Sequence, residues 1–296
     1  MTEYSDYAYL IAIAHLKNWR VEKRNELLLW LTEKKSISFA EFFETKSESL
    51  KETFSFSEKE VSSIEDAKKN LANIAFTCER ILSSGIKITT YNSKEYPKIL
   101  KKNLSIKKAP SILYTRGEYQ ILNEQTVAIV GSREASIKSL DFTKKITKKM
   151  SEEYKVIISG FAKGVDKLAL DTCVENNGKS IIVIPEGILK FNGFKKYYES
   201  IVEGNTLVLS TFYPEAEWSV GNAMGRNKYI HGLANDIYVA QSGKTGGTWQ
   251  GASEALSNKR TVYVRKIDPA EKIEDDGNTL LFENGAVYCD SNGNQI

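Results

Sequence analysis

The sequence predicts an α/β protein in which a doubly wound, mostly parallel sheet follows a small α-helical domain. Three observations carry this. Short runs such as Val127-Ala128-Ile129-Val130 and Val156-Ile157-Ile158 are apolar at every position, as strands buried on both faces of a parallel sheet require. Each run stops at a small, glycine-bearing turn: Gly131-Ser132-Arg133-Glu134-Ala135-Ser136 after the first, Ser159-Gly160-Phe161-Ala162-Lys163-Gly164-Val165-Asp166 after the second. Each turn restarts as a helical stretch. Ligands of such sheets bind beyond the carboxyl ends of the strands, where the N–H groups that open each helix favour anions, phosphate above all.

The same grammar recurs along the chain. Strands are expected at 126–130, 155–158, 180–184, 206–210, 236–240 and 260–264, with helices at 137–152, 165–176, 195–203, 222–233 and 249–258. Ahead of them, residues 1–84 read as a helical domain. Tyr7, Leu10, Ile11, Ile13 and Ala14 fall near helical spacing, and Leu27 to Leu31 centre a second helix. Ser36-Ile37-Ser38 offers a cap for a third helix through Phe39, Phe42 and Phe43. A polar stretch, 45–57, leads into one longer helix over 58–83, with Gly85 as its C-terminal stop. The aromatic residues of this region read as core, and His15 as structural. Residues 85–125 form a lead-in, with an alternating strand at 86–91 and two of the five prolines, Pro97 and Pro110, marking a connector. The lead-in and the sheet together make a domain of 85–266. Residues 267–296 form a short polar extension whose apolar segments, 280–282 and 286–288, suggest a terminal hairpin.

Composition sets limits. The 296 residues, 41% hydrophobic and 27% charged, suit a globular protein of one large or two moderate domains. A net charge of +3 does not demand a nucleic-acid partner, though a local basic groove can still form one. Cys78, Cys173 and Cys289 lie far apart, and the odd number favours a reducing, cytoplasmic setting. The apolar run from Tyr7 to Ala14 is too short to span a bilayer, so no membrane role is expected. The two histidines form no metal set. No Gly-x-x-x-x-Gly-Lys-Ser/Thr loop, Gly-x-Ser-x-Gly elbow or dinucleotide fingerprint occurs, so no cofactor is expected.

Five motifs in order resemble the DprA/Smf DNA-processing family. They are Tyr96-Pro97 with Leu100 and then 110–117; Ile129 to Arg133 with Ser136; Ser159 to Asp166; Arg226-Asn227-Lys228-Tyr229-Ile230-His231-Gly232-Leu233; and Ser242 to Thr248. The resemblance spans about residues 57–266. There are departures. Leu170 stands where the family usually has a histidine, and Ala223-Met224 replace its Phe-Pro. The thirty residues after 266 are too few for a winged helix, and the N-terminal region lacks a Gly-x-Gly hairpin loop. The resemblance implies an extended Rossmann-like domain and a cytoplasmic protein that binds single-stranded DNA. It further implies a homodimer that helps load a RecA-type recombinase, and no catalysis.

The expected phosphate-binding set is Gly131, Ser132, Arg133, Ser136, Ser159, Gly160, Lys163, Gly164, Lys190, Arg226, Asn227, Lys228, Gly246, Gly247 and Thr248. Asp166 supports it, and no residue is assigned to catalysis or metal. Arg133 either reaches a phosphate held over the Gly131 and Ser132 amides or pairs internally, for instance with Asp166. Lys163 is a phosphate contact or a solvated loop charge. Asp166 caps its helix or orients Arg133 or Arg226. Arg226-Asn227-Lys228 opens a helix after Gly225, where the pair binds phosphate, or Asn227 caps while Arg226 braces the crevice. Lys190 to Tyr198 interleave cations with aromatics, which suits a stacking platform for single strands or a loop packed on the sheet. Lys144, Lys145, Lys148 and Lys149 read as a solvated helix face.

Gly246-Gly247-Thr248 with Glu254 supports a rival. The loop is similar to the Pro-Gly-Gly-x-Gly-Thr loop of LOG-like nucleoside-monophosphate hydrolases, although the proline and the third glycine are missing. That likeness implies a nucleotide-sensing or nucleotide-hydrolysing module; the expected lack of a winged helix and the divergent N-terminal region fit an accessory role for it beside a defence or toxin protein, in a phage-defence or toxin–antitoxin system.

Overall fold

The structure, a computed structural model, describes residues 3–33, 37–271 and 273–296. It divides into two compact units, one ending at Tyr114 and the other running Thr115–Ile296.

The first unit holds helices α1 (Glu3–Ala14), α2 (Val21–Glu33), α3 (Phe39–Glu44), α4 (Ser47–Phe54), α5 (Glu58–Lys69) and α6 (Leu71–Ser83). Strand β1 (Lys87–Thr90), helix α7 (Lys98–Lys108) and strand β2 (Ile112–Arg116) follow. Helix α3 starts in a capping box, with Ser38 Oγ accepting from the Glu41 N–H at 3.2 Å while Glu41 Oε2 accepts from the Ser38 N–H at 2.6 Å. Ser36, the other half of the expected cap, lies outside the described residues. The polar stretch 45–57 contains a helix, α4, because Leu50 is fully buried and Phe54 packs edge-on against Trp30 and Phe42. The expected single helix over 58–83 breaks at Asn70 into α5 and α6. Gly85 follows α6 at φ +69°, a left-handed stop that favours glycine. His15 is half-buried with Nε2 3.0 Å from the Tyr114 hydroxyl, a contact that suits a structural histidine.

The second unit is the doubly wound sheet. In chain order it contains β3 (Thr126–Val130), α8 (Ile137–Glu152), β4 (Val156–Ser159), α9 (Val165–Glu175), β5 (Ser180–Val183), α10 (Tyr198–Val202) and β6 (Thr206–Ser210). Then come α11 (Val220–Leu233), β7 (Asp236–Val239), α12 (Gly246–Ser257), β8 (Val262–Arg265), α13 (Gly277–Glu283) and β9 (Val287–Cys289). Its strands lie in the order β6-β5-β4-β3-β7-β8-β9, and every pairing among them is parallel. From β3 the chain builds outward through β4, β5 and β6, then returns to add β7 on the other side of β3. The crevice beyond β3 and β7 is therefore the topological switch point, where ligands of such sheets bind.

Alternation along β3 divides the core. Val127 and Ile129 pack with Phe142, Ile146, Ile157 and Ala169 of α8, β4 and α9. Ala128 and Val130 point to the other face, where α11 lies, and Val130 reaches the crevice beside Ile230. The expected terminal hairpin is not formed. Leu280, Leu281 and Phe282 belong to α13, and β9 joins the main sheet parallel to β8, with Val264 opposite Tyr288. Leu281 is fully buried, and a helix lets it cross back over the sheet, which a hairpin does not. No helix among the described residues is long and apolar enough to cross a membrane.

Candidate phosphate crevice

Asp166, in the first turn of α9, joins the two glycine turns. It is only 7% exposed, and its carboxylate accepts hydrogen bonds from the backbone N–H groups of Gly131, Gly160 and Ala162. Burial raises its pKa, while Arg226 and these three amides act the other way. The carboxylate thus occupies the nest that the turns would otherwise offer an external anion. The Ser132 N–H is also engaged, donating to the Gln241 carbonyl at 2.8 Å. Of the two amides expected to cradle a phosphate, that of Ser132 is thus already taken by a carbonyl of the chain. Gly164 sits at φ +87° with the Ser132 and Arg133 carbonyls where a Cβ would go, so glycine is required for the two turns to meet.

Arg226 lies deep in the same place, 3% exposed, with its Nη1 3.8 Å from Asp166 Oδ2. A Cβ on Gly160 would fall on its guanidinium, so that glycine makes the room. Nε and Nη1 have no hydrogen-bond partner among the described residues. Burial lowers the Arg226 pKa, opposed by Asp166 and Glu186. The residue sits in the second turn of α11 and does not open a helix. The start is at Val220, capped by Ser219, whose Oγ accepts from the Asn222 N–H at 3.0 Å. Asn227 is therefore not a cap.

The crevice has a volume of about 350 Å³ and is walled by Gly131 to Arg133, by α11 and by the Gly/Thr loop that opens α12. Thr245, the N-cap residue of α12, places no side-chain hydrogen bond on the first turn, where Gly247 and Thr248 face the crevice. A Cβ on Gly247 would meet the Asn227 amide, which fixes how closely α11 and α12 approach. The loop is held from behind. Asn278, fully buried, accepts from the Ser242 N–H at 2.8 Å and donates to the Ala240 and Arg265 carbonyls, while Asp275 accepts from the Lys244 N–H at 2.9 Å.

Around this wall the predicted residues divide. Arg133 and Lys163 are exposed and make no ion pair or hydrogen bond among the described residues. Lys228 is half-buried with Nζ 5.0 Å from the Tyr229 ring centre. Ser136 caps α8 and bonds Glu271, so its hydroxyl serves the fold. Ser159 is fully buried and donates to the Ile129 carbonyl at 2.6 Å, away from any ligand. Lys190 does not line the crevice and pairs with Glu217 at 2.5 Å.

The aromatic loop is no stacking platform as a whole. Phe191 and Tyr197 are buried, and Phe191 packs edge-on against Phe161 and Phe194. The α8 lysines form a solvated face, Lys145 pairing with Asp141 and Lys149 with Glu153 one turn away. Glu254, expected from the hydrolase likeness, does not line the crevice. Sequence reasoning missed Gln241, Asp275 and Asn278. A polar residue directly after a buried strand was the available signal for Gln241; the other two carry none.

Fold and crevice define a class: a doubly wound α/β protein with a crevice lined by Arg133, Arg226 and Asp166 at its switch point. The chain belongs to the DNA recombination-mediator protein A family, whose model matches residues 87–296. It is 30% identical over 176 residues to DNA processing protein DprA of Streptococcus pneumoniae, covering 59% of this chain and 62% of that protein. To the Bacillus subtilis DprA it is 28% identical over 188 residues, covering 61% and 60%. The chain thus matches about three fifths of the length of these relatives. The structure of the S. pneumoniae DprA superposes with a TM-score of 0.71 at 23% identity, covering 99% of this chain and 96% of that one. DNA processing protein A of Helicobacter pylori, whose structure concerns its single-stranded DNA binding mode, aligns with a TM-score of 0.56 at 25% identity, over 69% and 90% of the two chains.

Proposed function

We propose that the chain binds single-stranded DNA, with the phosphates running over the carboxyl-end crevice and contacted directly by Arg133 and Lys163. The observation that carries this is their freedom. Lys145, Lys179 and Lys196 of the same unit are held in ion pairs, whereas these two cations are exposed and unpaired among the described residues, and they stand on the two turns that border the crevice. Arg226 lies behind them as a buried positive charge with unengaged nitrogens. The single-stranded DNA binding of the H. pylori relative supports the reading. In this reading the chain acts in DNA processing and recombination as a cytoplasmic homodimer that serves a RecA-type recombinase.

The test is fluorescence anisotropy of a labelled oligo-dT across a salt series, with the wild type and an Arg133→Ala/Lys163→Ala double variant. Salt-sensitive binding by the wild type is expected, with the slope reduced by roughly 0.7 for each phosphate that the variant no longer neutralises. No binding by a folded wild type, or an unchanged slope in the double variant, sinks the proposal.

A second reading has its own observation. The uncapped start of α12 and the buried Arg226 line one crevice of about 350 Å³, which suits the phosphate of a free nucleotide. Equilibrium dialysis with nucleoside monophosphates separates the two: nucleotide bound tightly with no affinity for oligo-dT favours sensing, as in a phage-defence or toxin–antitoxin role.

A further inference from the structure

Three large apolar side chains stand in water within seven residues of one another, two of them on the crevice wall. Trp218 is 51% exposed, Val220 67% and Met224 40%. Val220 and Met224 are one turn apart on α11 and both line the crevice, so the apolar surface continues into its wall. Exposed apolar surface next to a polar site marks an interaction surface.

The segment is held in place. Ser219 caps α11, the Asn222 side-chain amide donates to the Glu217 carbonyl at 3.3 Å, and the Glu217 carboxylate pairs with Lys190 at 2.5 Å. Trp218 is thereby a large flat ring whose backbone is anchored on both sides.

We propose that Trp218, with Val220 and Met224, is the base platform of the crevice, on which unpaired bases lie while their phosphates meet Arg133 and Lys163. This rests on the single-stranded DNA reading and adds where the bases go. Charge and polarity choose the occupant. The wall formed by Gly131 to Arg133 presents the exposed Arg133, and a unit with an anion at one end and a flat apolar face at the other is a nucleotide of an unpaired strand. A duplex keeps its base faces inside the stack. Stacking on an indole tolerates any base, since every base has a π face, so the platform adds affinity without sequence preference. Phe191 and Tyr197 cannot take this part, because both are buried.

The experiment compares the wild type, Trp218→Ala and Trp218→Phe, all as the full chain, against labelled oligo-dT and an abasic oligomer of equal length across a salt series. Loss of the exposed indole is expected to weaken oligo-dT binding on the order of 10-fold, with the salt slope unchanged. Phe restores most of the loss, and the abasic oligomer binds all three proteins alike. Thermal melting of each variant checks that the fold is intact. Equal oligo-dT affinity of the wild type and Trp218→Ala overturns the platform, as does an equal loss on the abasic oligomer. If that happens while binding still depends on Arg133 and Lys163, only the platform falls. If the wild type binds no oligo-dT, both readings fall.

Discussion

The carboxylate of Asp166 and the guanidinium of Arg226 face each other across 3.8 Å, both nearly sealed from water. At that distance they neutralise one another without a hydrogen bond, and the carboxylate gives its lone pairs to the backbone of both glycine turns. The pair sets the floor of the crevice: the acid ties the turns together, and the base compensates its charge.

Breaking the pair from one side leaves the partner buried and uncompensated, which typically costs about 3–5 kcal/mol. Asp166→Asn keeps the shape and removes the charge, so we expect a destabilisation of that order. The urea midpoint of unfolding should fall with little change in slope. Adding Arg226→Met to Asp166→Asn should recover part of the deficit, and a strictly additive double variant would show that the two charges are not coupled.

Gly160→Ala should move the guanidinium without touching its charge, because the new Cβ would take its place. Overpacking of this kind costs about 1–3 kcal/mol. The informative comparison is Gly164→Ala, which strains the turn at φ +87° but does not meet Arg226. Calorimetry and oligo-dT titration of both should separate displacement of Arg226 from disturbance of the turn.

Asn278→Ala removes three hydrogen bonds in the interior and leaves the Ser242 N–H without its partner, while the Ala240 carbonyl keeps the Arg265 Nε–H. Such an orphan costs about 1–3 kcal/mol. Hydrogen exchange should show faster exchange across residues 240–248, with the strands on the far side of β3 unaffected. Unchanged protection there would mean that the loop does not depend on the terminal segment.

Acid should destabilise the fold through its two histidines. Burial lowers His231 to about 4 and His15 to about 3, from 6.5. Below pH 6.5 the unfolded chain takes up a proton at each position and the folded chain does not. The stability is therefore whole above 6.5 and lost as the pH falls toward the folded values. A single such histidine gives about 1.4 kcal/mol per pH unit in that window. The melting temperature of His231→Gln should fall less steeply than that of the wild type as the pH is lowered from neutral, since the variant lacks one of the two proton uptakes. Parallel curves would show that His231 does not titrate with unfolding.

The strands and helices of the second unit are legible because parallel strands buried on both faces leave an unmistakable local record: β3 and β6 run at their expected bounds, and α8 spans its expected 137–152. The glycines of the turns are legible for the same reason, since close approach and positive φ are local demands. The helix within 45–57 escapes a local reading because the burial of Leu50 and the packing of Phe54 depend on partners distant in the chain. The terminal segment escapes it likewise: its pattern fits a hairpin or a helix and strand, and only the free edge of β8 selects the second.

The doubly wound architecture, the family motifs and the glycine turns at the carboxyl ends of β3 and β4 were legible in the sequence. The tertiary structure alone decided how the charges divide. Periodicity places Asp166, Arg226, Arg133 and Lys163 near one crevice, but their burial is a property of everything packed around them. An internal carboxylate fills the amide nest, Arg226 is sealed behind it, and Arg133 and Lys163 remain in water, because desolvation is a long-range quantity that no local pattern records.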